Sequence, residues 1–200
     1  MTILFVLEIL GTVAFAISGA CVAIEKKMDI FGVAILGLTT AVGGGIVRDV
    51  LLGVIPPAAF QHPVYSLLAL LTSVIVFLPK VRGLAGKENN LLLFLIDTIG
   101  LAIFTVVGVQ AGMQYDNRYL AVFVGVITGV GGGVMRDVFA GNRPYIFIKH
   151  FYACASLAGA LLCAFAWHRG ELLSMVTGAA VIVILRFLAA KYHWSLPRAE

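Results

Sequence analysis

The sequence predicts an all-α polytopic membrane protein with seven transmembrane helices, arranged as a three-plus-three inverted repeat with one extra helix. Three observations carry that class. Hydrophobic residues fill 61% of 200 positions and charged residues only 12%, with a mean hydropathy of +1.04, whereas soluble domains carry about 25% charge. The apolar residues fall into seven runs of about 20, the length that crosses a ~30 Å hydrocarbon core. A long stretch of the chain also occurs twice.

The runs, bounded by charge or proline, lie near residues 3–24, 30–54, 63–79, 91–112, 119–141, 151–167 and 172–190. Together they leave only short connections and no room for a separate aqueous domain. The first run has no basic segment before it and carries Glu8 near its start, so it is expected to be a helix of the mature protein and not a cleaved signal. Seven spans put successive loops on alternating sides. One side then holds Lys26, Lys27, Lys80, Arg82, Lys87, Arg143, Lys149, Lys191 and Arg198, and the other only Arg118 and Arg169. The positive-inside rule places the amino terminus outside and the carboxyl terminus in the cytoplasm. The formal charge of +4 is thereby accounted for by orientation, and no basic face remains for nucleic acid. Cys21, Cys154 and Cys163 all lie inside apolar runs without metal-ligand spacing, which predicts packed thiols.

Residues 37–53, GLTTAVGGGIVRDVLLG, align without gaps on residues 125–141, GVITGVGGGVMRDVFAG, with ten of seventeen identical at an offset of 88. The match extends through Pro56 with Pro144 and His62 with His150. At an offset of 89 the preceding helices pair Glu8 with Asp97, Gly11 with Gly100, Phe15 with Phe104 and Gly19 with Gly108. Each unit is three spans long, and an odd number of spans makes the second copy enter from the opposite face. The expected units are residues 1–88, residues 89–170, and residues 171–200 as the unrepeated seventh helix with a short cytoplasmic tail. Inverted repeats commonly surround a transport path.

Spans two and five each carry Gly-Gly-Gly-x-x-Arg-Asp near mid-membrane: Gly43, Gly44, Gly45, Arg48 and Asp49, then Gly131, Gly132, Gly133, Arg136 and Asp137. An interior glycine costs about 1 kcal/mol of helix propensity against alanine, so a triple run predicts a kink or break. A break would free backbone carbonyls near Thr40 and Thr128, and such groups are tolerated only against protein or in a watery cavity. The same glycines also permit close helix packing, for which Gly129 and Gly133 qualify by their small-xxx-small spacing. Span two, as a straight helix of about 25 residues, would measure some 37 Å, longer than the core it crosses.

On these paired motifs and the three-plus-three-plus-one plan, the chain resembles, over nearly its whole length, the prokaryotic branch of the trimeric intracellular cation channel family, whose repeat is also known as the glycine transporter domain. The resemblance implies a homotrimer in which each protomer has its own hourglass pore. It further implies that spans two and five kink at Gly43–Gly45 and Gly131–Gly133, that potassium passes in preference to anions, and that the location is the bacterial inner membrane. The Lys-Glu-Val phosphoinositide site of animal members has no counterpart in this sequence, so lipid regulation is not carried over.

Charged residues inside spans need partners. At 1.5 Å per residue, Glu8 lies about 7 Å inside the outer face and Arg48 about 9 Å inside it. Asp97 and Arg136 lie at similar depths below the inner face, whereas Arg48 and Asp137 are some 18 Å apart. The expected pairs are therefore Glu8 with Arg48 and Asp97 with Arg136, with Asp49 and Asp137 binding backbone amides or facing water. Each vestibule then holds two carboxylates and one guanidinium, an arrangement that favours cations; it also fits structural ion pairing with the two aspartates near helix amino termini. Thr12, Thr40, Thr98, Thr105 and Thr128 are candidate pore hydroxyls, although membrane threonines often bond their own helix. Arg186, one turn from the end of span seven, is expected to snorkel to the cytoplasm. His62 and His150 are expected at the interface, and Tyr115, Tyr119, Tyr145, Tyr152 and Trp167 read as interfacial anchors.

No phosphate loop, metal triad or nucleophile with a base is present, so no enzyme, cofactor or resident metal is expected. The leading reading is a potassium-preferring monovalent cation channel, with lipids and permeating cations as its partners. The alternative is a secondary transporter of glycine or a similar small zwitterion, with motif amides on the carboxylate.

Overall fold

Where the apolar runs lie, the chain is helical. The computed structural model describes residues 2–82, 90–148 and 151–194, and no strand occurs among them. The helices are α1 (Thr2–Glu25), α2 (Ile30–Leu51), the one-turn α3 (Ala58–Gln61), α4 (Pro63–Phe77), the one-turn α5 (Pro79–Arg82), α6 (Asn90–Met113), α7 (Arg118–Phe139), the one-turn α8 (Tyr145–Ile148), α9 (Tyr152–Ala166) and α10 (Glu171–Lys191). The chain is an all-helical membrane protein. α1, α2, α6, α7 and α10 are each long and apolar enough to cross a bilayer. α4 and α9, at 15 residues each, reach only about 22 Å. The expected unit boundary at residues 88 and 89 lies outside the described residues, as do His150, Lys87, Lys149 and Arg198.

The duplicated sequence produces duplicated helix ends. Asp29 caps α2 by accepting from Gly32 N at 2.8 Å, and Asn117, 88 residues later, caps α7 by accepting from Leu120 N at 3.0 Å. Both helices stop in the same way. Gly53 and Gly141 take left-handed backbone, with φ of +73° and +68°, and the two residues that follow the cap return hydrogen bonds to the last turn. Val54 N donates to Asp49 O and Asn142 N to Asp137 O, each at 2.8 Å; this pattern favours glycine because a Cβ is strained there. The stop falls at Leu51 and Phe139, short of the predicted 54 and 141, so α2 measures about 33 Å and need not fold back to fit the bilayer.

The expected break at the glycine runs does not occur. α2 and α7 remain helical through Gly43–Gly45 and Gly131–Gly133, so no carbonyl is freed by unwinding. The reason is the partner helix. α2 packs on α7, and at the crossing a Cβ on Gly44 would strike the Thr128 carbonyl oxygen, while one on Gly132 would strike that of Thr40. Missing side chains let the two backbones touch, and that contact offsets the low helix propensity of glycine.

Around this crossing, contacts between the halves come in reciprocal pairs. α1 packs on α6, and the Phe15 and Phe104 rings meet at 5.2 Å. Phe15 lies on Gly100 and Phe104 on Gly11, each ring filling the space a side chain would take. Such self-complementary pairing is what a two-fold relation between equivalent units produces. α4 covers α1 and α2, α9 covers α6 and α7, and α10 lies against α6 and α9.

Candidate functional site

Each half ends in a cluster of charges, positioned by its Arg-Asp pair one turn before the helix stop. In the first half, Arg48 Nε donates to Asp49 Oδ1 at 2.8 Å, and Asp49 Oδ2 accepts from Ala58 N at 2.7 Å. In the second, Arg136 Nε donates to Asp137 Oδ1 at 2.9 Å, and Asp137 Oδ2 accepts from Tyr145 N at 2.9 Å. Each aspartate thus ties its arginine to the first amide of the one-turn helix that follows. Asp49 and Asp137 bind backbone amides as expected, and each also pairs with the arginine beside it.

Both depth-matched pairs are present. Arg48 Nη1 stands 3.9 Å from Glu8 Oε1, a loose ion pair, and Glu8 Oε2 accepts from the Tyr65 hydroxyl at 2.5 Å. Arg136 Nη1 stands 2.6 Å from Asp97 Oδ1 and donates to the Ser18 hydroxyl at 2.6 Å. Among the described residues, no ion pair links the two Arg-Asp motifs to each other.

The two clusters differ in access to water. A cavity of about 40 Å³ adjoins the first and is lined by Glu8, Thr12, Gly45, Arg48, Asp49 and Tyr65 among others. At ~10–15 Å³ of such space per molecule it has room for a few waters. Its charged lining is two carboxylates and one guanidinium, as the sequence predicts. Arg136 is instead wholly buried, with its guanidinium 4.9 Å from the Tyr145 ring centroid.

Arg186 accounts for that difference and corrects two expectations. Far from snorkelling, it is only 2% exposed and turns inward, because Asp97 offers a buried counter-charge: Nη2 lies 3.6 Å from Asp97 Oδ2, and Nε donates to Thr98 Oγ1 at 3.3 Å. Among the described residues the second cluster therefore holds two guanidiniums against Asp97 and Asp137, so the expected acid excess is found there in the first half and not in the second. Tyr152, read as an interfacial anchor, is buried under the Arg186 guanidinium at 4.8 Å. Tyr115 and Tyr119 are exposed.

The threonines divide. Thr40 and Thr128 lie at the glycine crossing, but each hydroxyl donates to its own helix, to Leu36 O and Val124 O, both at 2.6 Å. Thr105 shares a hydrogen bond with Ser156 at 2.8 Å. Thr12 lines the cavity. Cys21 and Cys163 are buried free thiols, Cys154 is a half-buried one, and His62 is exposed. Gly43 faces the flexible end of Met135, and a Cβ on Gly133 would come within 3.2 Å of the Tyr152 hydroxyl.

Sequence reasoning missed Tyr65, Ser18 and the inward Arg186. Tyr65 and Tyr152 stand 87 residues apart, one short of the repeat offset, and following the repeat across that shift would have joined them. Arg186 lies in the unrepeated helix, where no such signal exists.

The family model described as glycine transporter matches the chain twice, over residues 5–80 and 94–168. The UPF0126 membrane protein YvgT of Bacillus subtilis is 39% identical over 193 residues, 96% of this chain and 94% of that protein. The UPF0126 inner membrane protein YadS of Escherichia coli K12 is 38% identical over 198 residues, 96% of this chain and 93% of that one. Among solved structures, the TRIC trimeric intracellular cation channel orthologue from Rhodobacter sphaeroides superposes with a TM-score of 0.89 at 31% identity, covering 97% of this chain and 100% of its own. A prokaryotic TRIC channel crystallised in 0.5 M KCl gives 0.90 at 32% identity, covering 98% and 99%.

Proposed function

The chain belongs to the glycine transporter family, the prokaryotic branch of the trimeric intracellular cation channels, and from that premise we propose that it is a potassium-preferring monovalent cation channel of the bacterial inner membrane, a homotrimer with a pore in each protomer. The observation that carries this reading is the cavity at the first cluster, where two carboxylates face one guanidinium beside Gly45, next to the crossing of α2 and α7. Water-filled space with an acid excess concentrates cations. Similarity along nearly the whole chain to structures of TRIC cation channels supports the same reading. Family and fold are those of channels and transporters, not enzymes.

In this reading seven helices span the bilayer, with α4 and α9 as the short ones, and residues 1–88 and 89–170 are related by an axis in the membrane plane. The amino terminus lies outside and the carboxyl terminus in the cytoplasm, so the first cluster is the outer mouth and the second the inner. Gly43–Gly45 and Gly131–Gly133, with Thr40 and Thr128, form the constriction: their contact seals the path, and separation or bending of α2 and α7 there opens it.

The description of the matching family favours a second reading, carriage of glycine or a similar zwitterion, with an arginine on the carboxylate and an acid on the ammonium. Purified protein in planar bilayers under a potassium chloride gradient, beside labelled glycine uptake into liposomes, separates the two. Unitary currents reversing toward the potassium equilibrium potential are expected. Saturable glycine uptake without unitary current would replace the channel with the carrier.

A further inference from the structure

The two charge clusters share a motif but not a net charge. Glu8, Arg48 and Asp49 leave one negative charge beside a cavity. Asp97, Arg136 and Asp137 would leave the same, but α10 adds Arg186 and brings the sum to zero. α10 has no counterpart in the repeat, and among the described residues no second cation pairs with Glu8, the sequence partner of Asp97. Rings flank the added guanidinium, Phe94 at 4.7 Å and Tyr152 at 4.8 Å. It is a delocalised, weakly hydrated cation held by π faces and a carboxylate in a dry place.

We propose that Arg186 is a tethered cation that plugs the inner mouth: its guanidinium holds the place beside Asp97 that a permeating monovalent cation must occupy, and the inner half conducts only when α10 withdraws it. The proposal rests on the cation channel reading. Two further observations support it. Of the two guanidiniums on Asp97, Arg136 sits at 2.6 Å and Arg186 at 3.6 Å, so the contact with α10 is the one that a small displacement breaks first. The sealed packing also leaves Asp97 Oδ2, Arg136 Nη2 and Tyr152 Oη buried without a hydrogen-bond partner among the described residues. Buried polar atoms are seldom left so, and water admitted by withdrawal of Arg186 would satisfy all three. The sealed mouth therefore has a hydrated alternative built from the same residues.

The test compares wild type with Arg186→Gln in two measurements. In bilayers with potassium chloride, Arg186→Gln should raise open probability several-fold and increase potassium over chloride selectivity, since the inner mouth regains an unmatched acid. In liposomes, a charged, membrane-impermeant thiol reagent reports water at the inner mouth through Cys21, which lies one turn beyond Ser18, the residue bonded to Arg136. Cys154 and Cys163 are replaced by alanine in this background. Labelling of Cys21 from the cytoplasmic side should be slow with Arg186 and at least several-fold faster with Arg186→Gln. Unchanged open probability and unchanged labelling in a folded trimer overturn the plug while wild-type currents uphold the channel. Faster labelling with no current from either protein keeps the withdrawal of Arg186 and discards the channel. If Arg186→Gln does not assemble, Arg186→Lys carries the test: it keeps the charge on a shorter reach without the planar fork, so labelling should rise above wild type at normal trimer yield, and wild-type labelling would overturn the proposal.

Discussion

Gly44 on α2 faces the Thr128 carbonyl oxygen on α7 so closely that no methyl fits between them, and Gly132 faces the Thr40 carbonyl in the same way. Alanine at either glycine would press on backbone, which cannot rotate aside. Gly44→Ala and Gly132→Ala are therefore expected to cost about 1–3 kcal/mol by overpacking, outweighing the ~1 kcal/mol gained in helix propensity. Gly45→Ala is the control, because the nearest atom to its added Cβ is Arg48 Nη2 at 4.0 Å. Thermal melts in detergent should place Gly45→Ala at or above wild type and the other two below it. Equal melts for Gly44→Ala and Gly45→Ala would show that the helices do not touch at the crossing.

Burial separates the two motif arginines. Arg136→Gln removes a guanidinium from between Asp97 and Asp137, both buried, and leaves Arg186 as the one cation paired with Asp97 among the described residues. The loss should be on the order of 3–5 kcal/mol. Arg48 borders the cavity and meets Glu8 at only 3.9 Å, so water can hydrate the acids that Arg48→Gln leaves behind, and the loss should be less than half as large. Yield of folded protein and midpoint of unfolding in one detergent rank the variants; an equal loss at both positions would contradict the difference in water access.

Much of this layout was legible because the chain states it twice. The all-helical membrane class follows from the apolar runs, and the Glu8–Arg48 and Asp97–Arg136 pairs and the backbone partners of Asp49 and Asp137 follow from helical rise and the repeated motif. What failed has physical causes. Glycine propensity describes an isolated helix, so it predicts a break where a second backbone in fact supplies the missing contact at Gly44 and Gly132. Depth along a helix gives a height but no rotation, so the direction of Arg186 could not be read. The rule that arginines near span ends snorkel gave way to a buried carboxylate within reach.

The matched tyrosines should respond oppositely to loss of a hydroxyl. Tyr65 donates to Glu8 Oε2 at 2.5 Å, a bond to a charged acceptor at a half-buried site, so Tyr65→Phe should cost about 1.5 kcal/mol. The Tyr152 hydroxyl is buried without a hydrogen-bond partner among the described residues, so Tyr152→Phe removes an unsatisfied group and keeps the ring under Arg186. It should be neutral or stabilising. Denaturant or thermal unfolding of the two variants checks the contrast, and a Tyr152→Phe loss as large as that of Tyr65→Phe would reveal a partner for the Tyr152 hydroxyl.

Ion selectivity should depend on Glu8 more than its modest structural role suggests. Its carboxylate lines the cavity, keeps a side-chain exposure of 21% and holds Arg48 only at 3.9 Å. Glu8→Gln should therefore leave the fold intact while changing the first cluster from one net negative charge to none, with Arg48 and Asp49 still paired at 2.8 Å. A neutral mouth no longer concentrates cations, so the reversal potential under a potassium chloride gradient should move toward zero and single-channel conductance should fall. Salt distinguishes this mechanism from a blocked or misfolded pore. The Debye length is about 10 Å at 0.1 M and about 3 Å at 1 M, so the deficit should be large in dilute salt and nearly vanish in concentrated salt. A conductance deficit of the same size at both concentrations would mean that Glu8 shapes the pore through the Tyr65 bond and not through its charge.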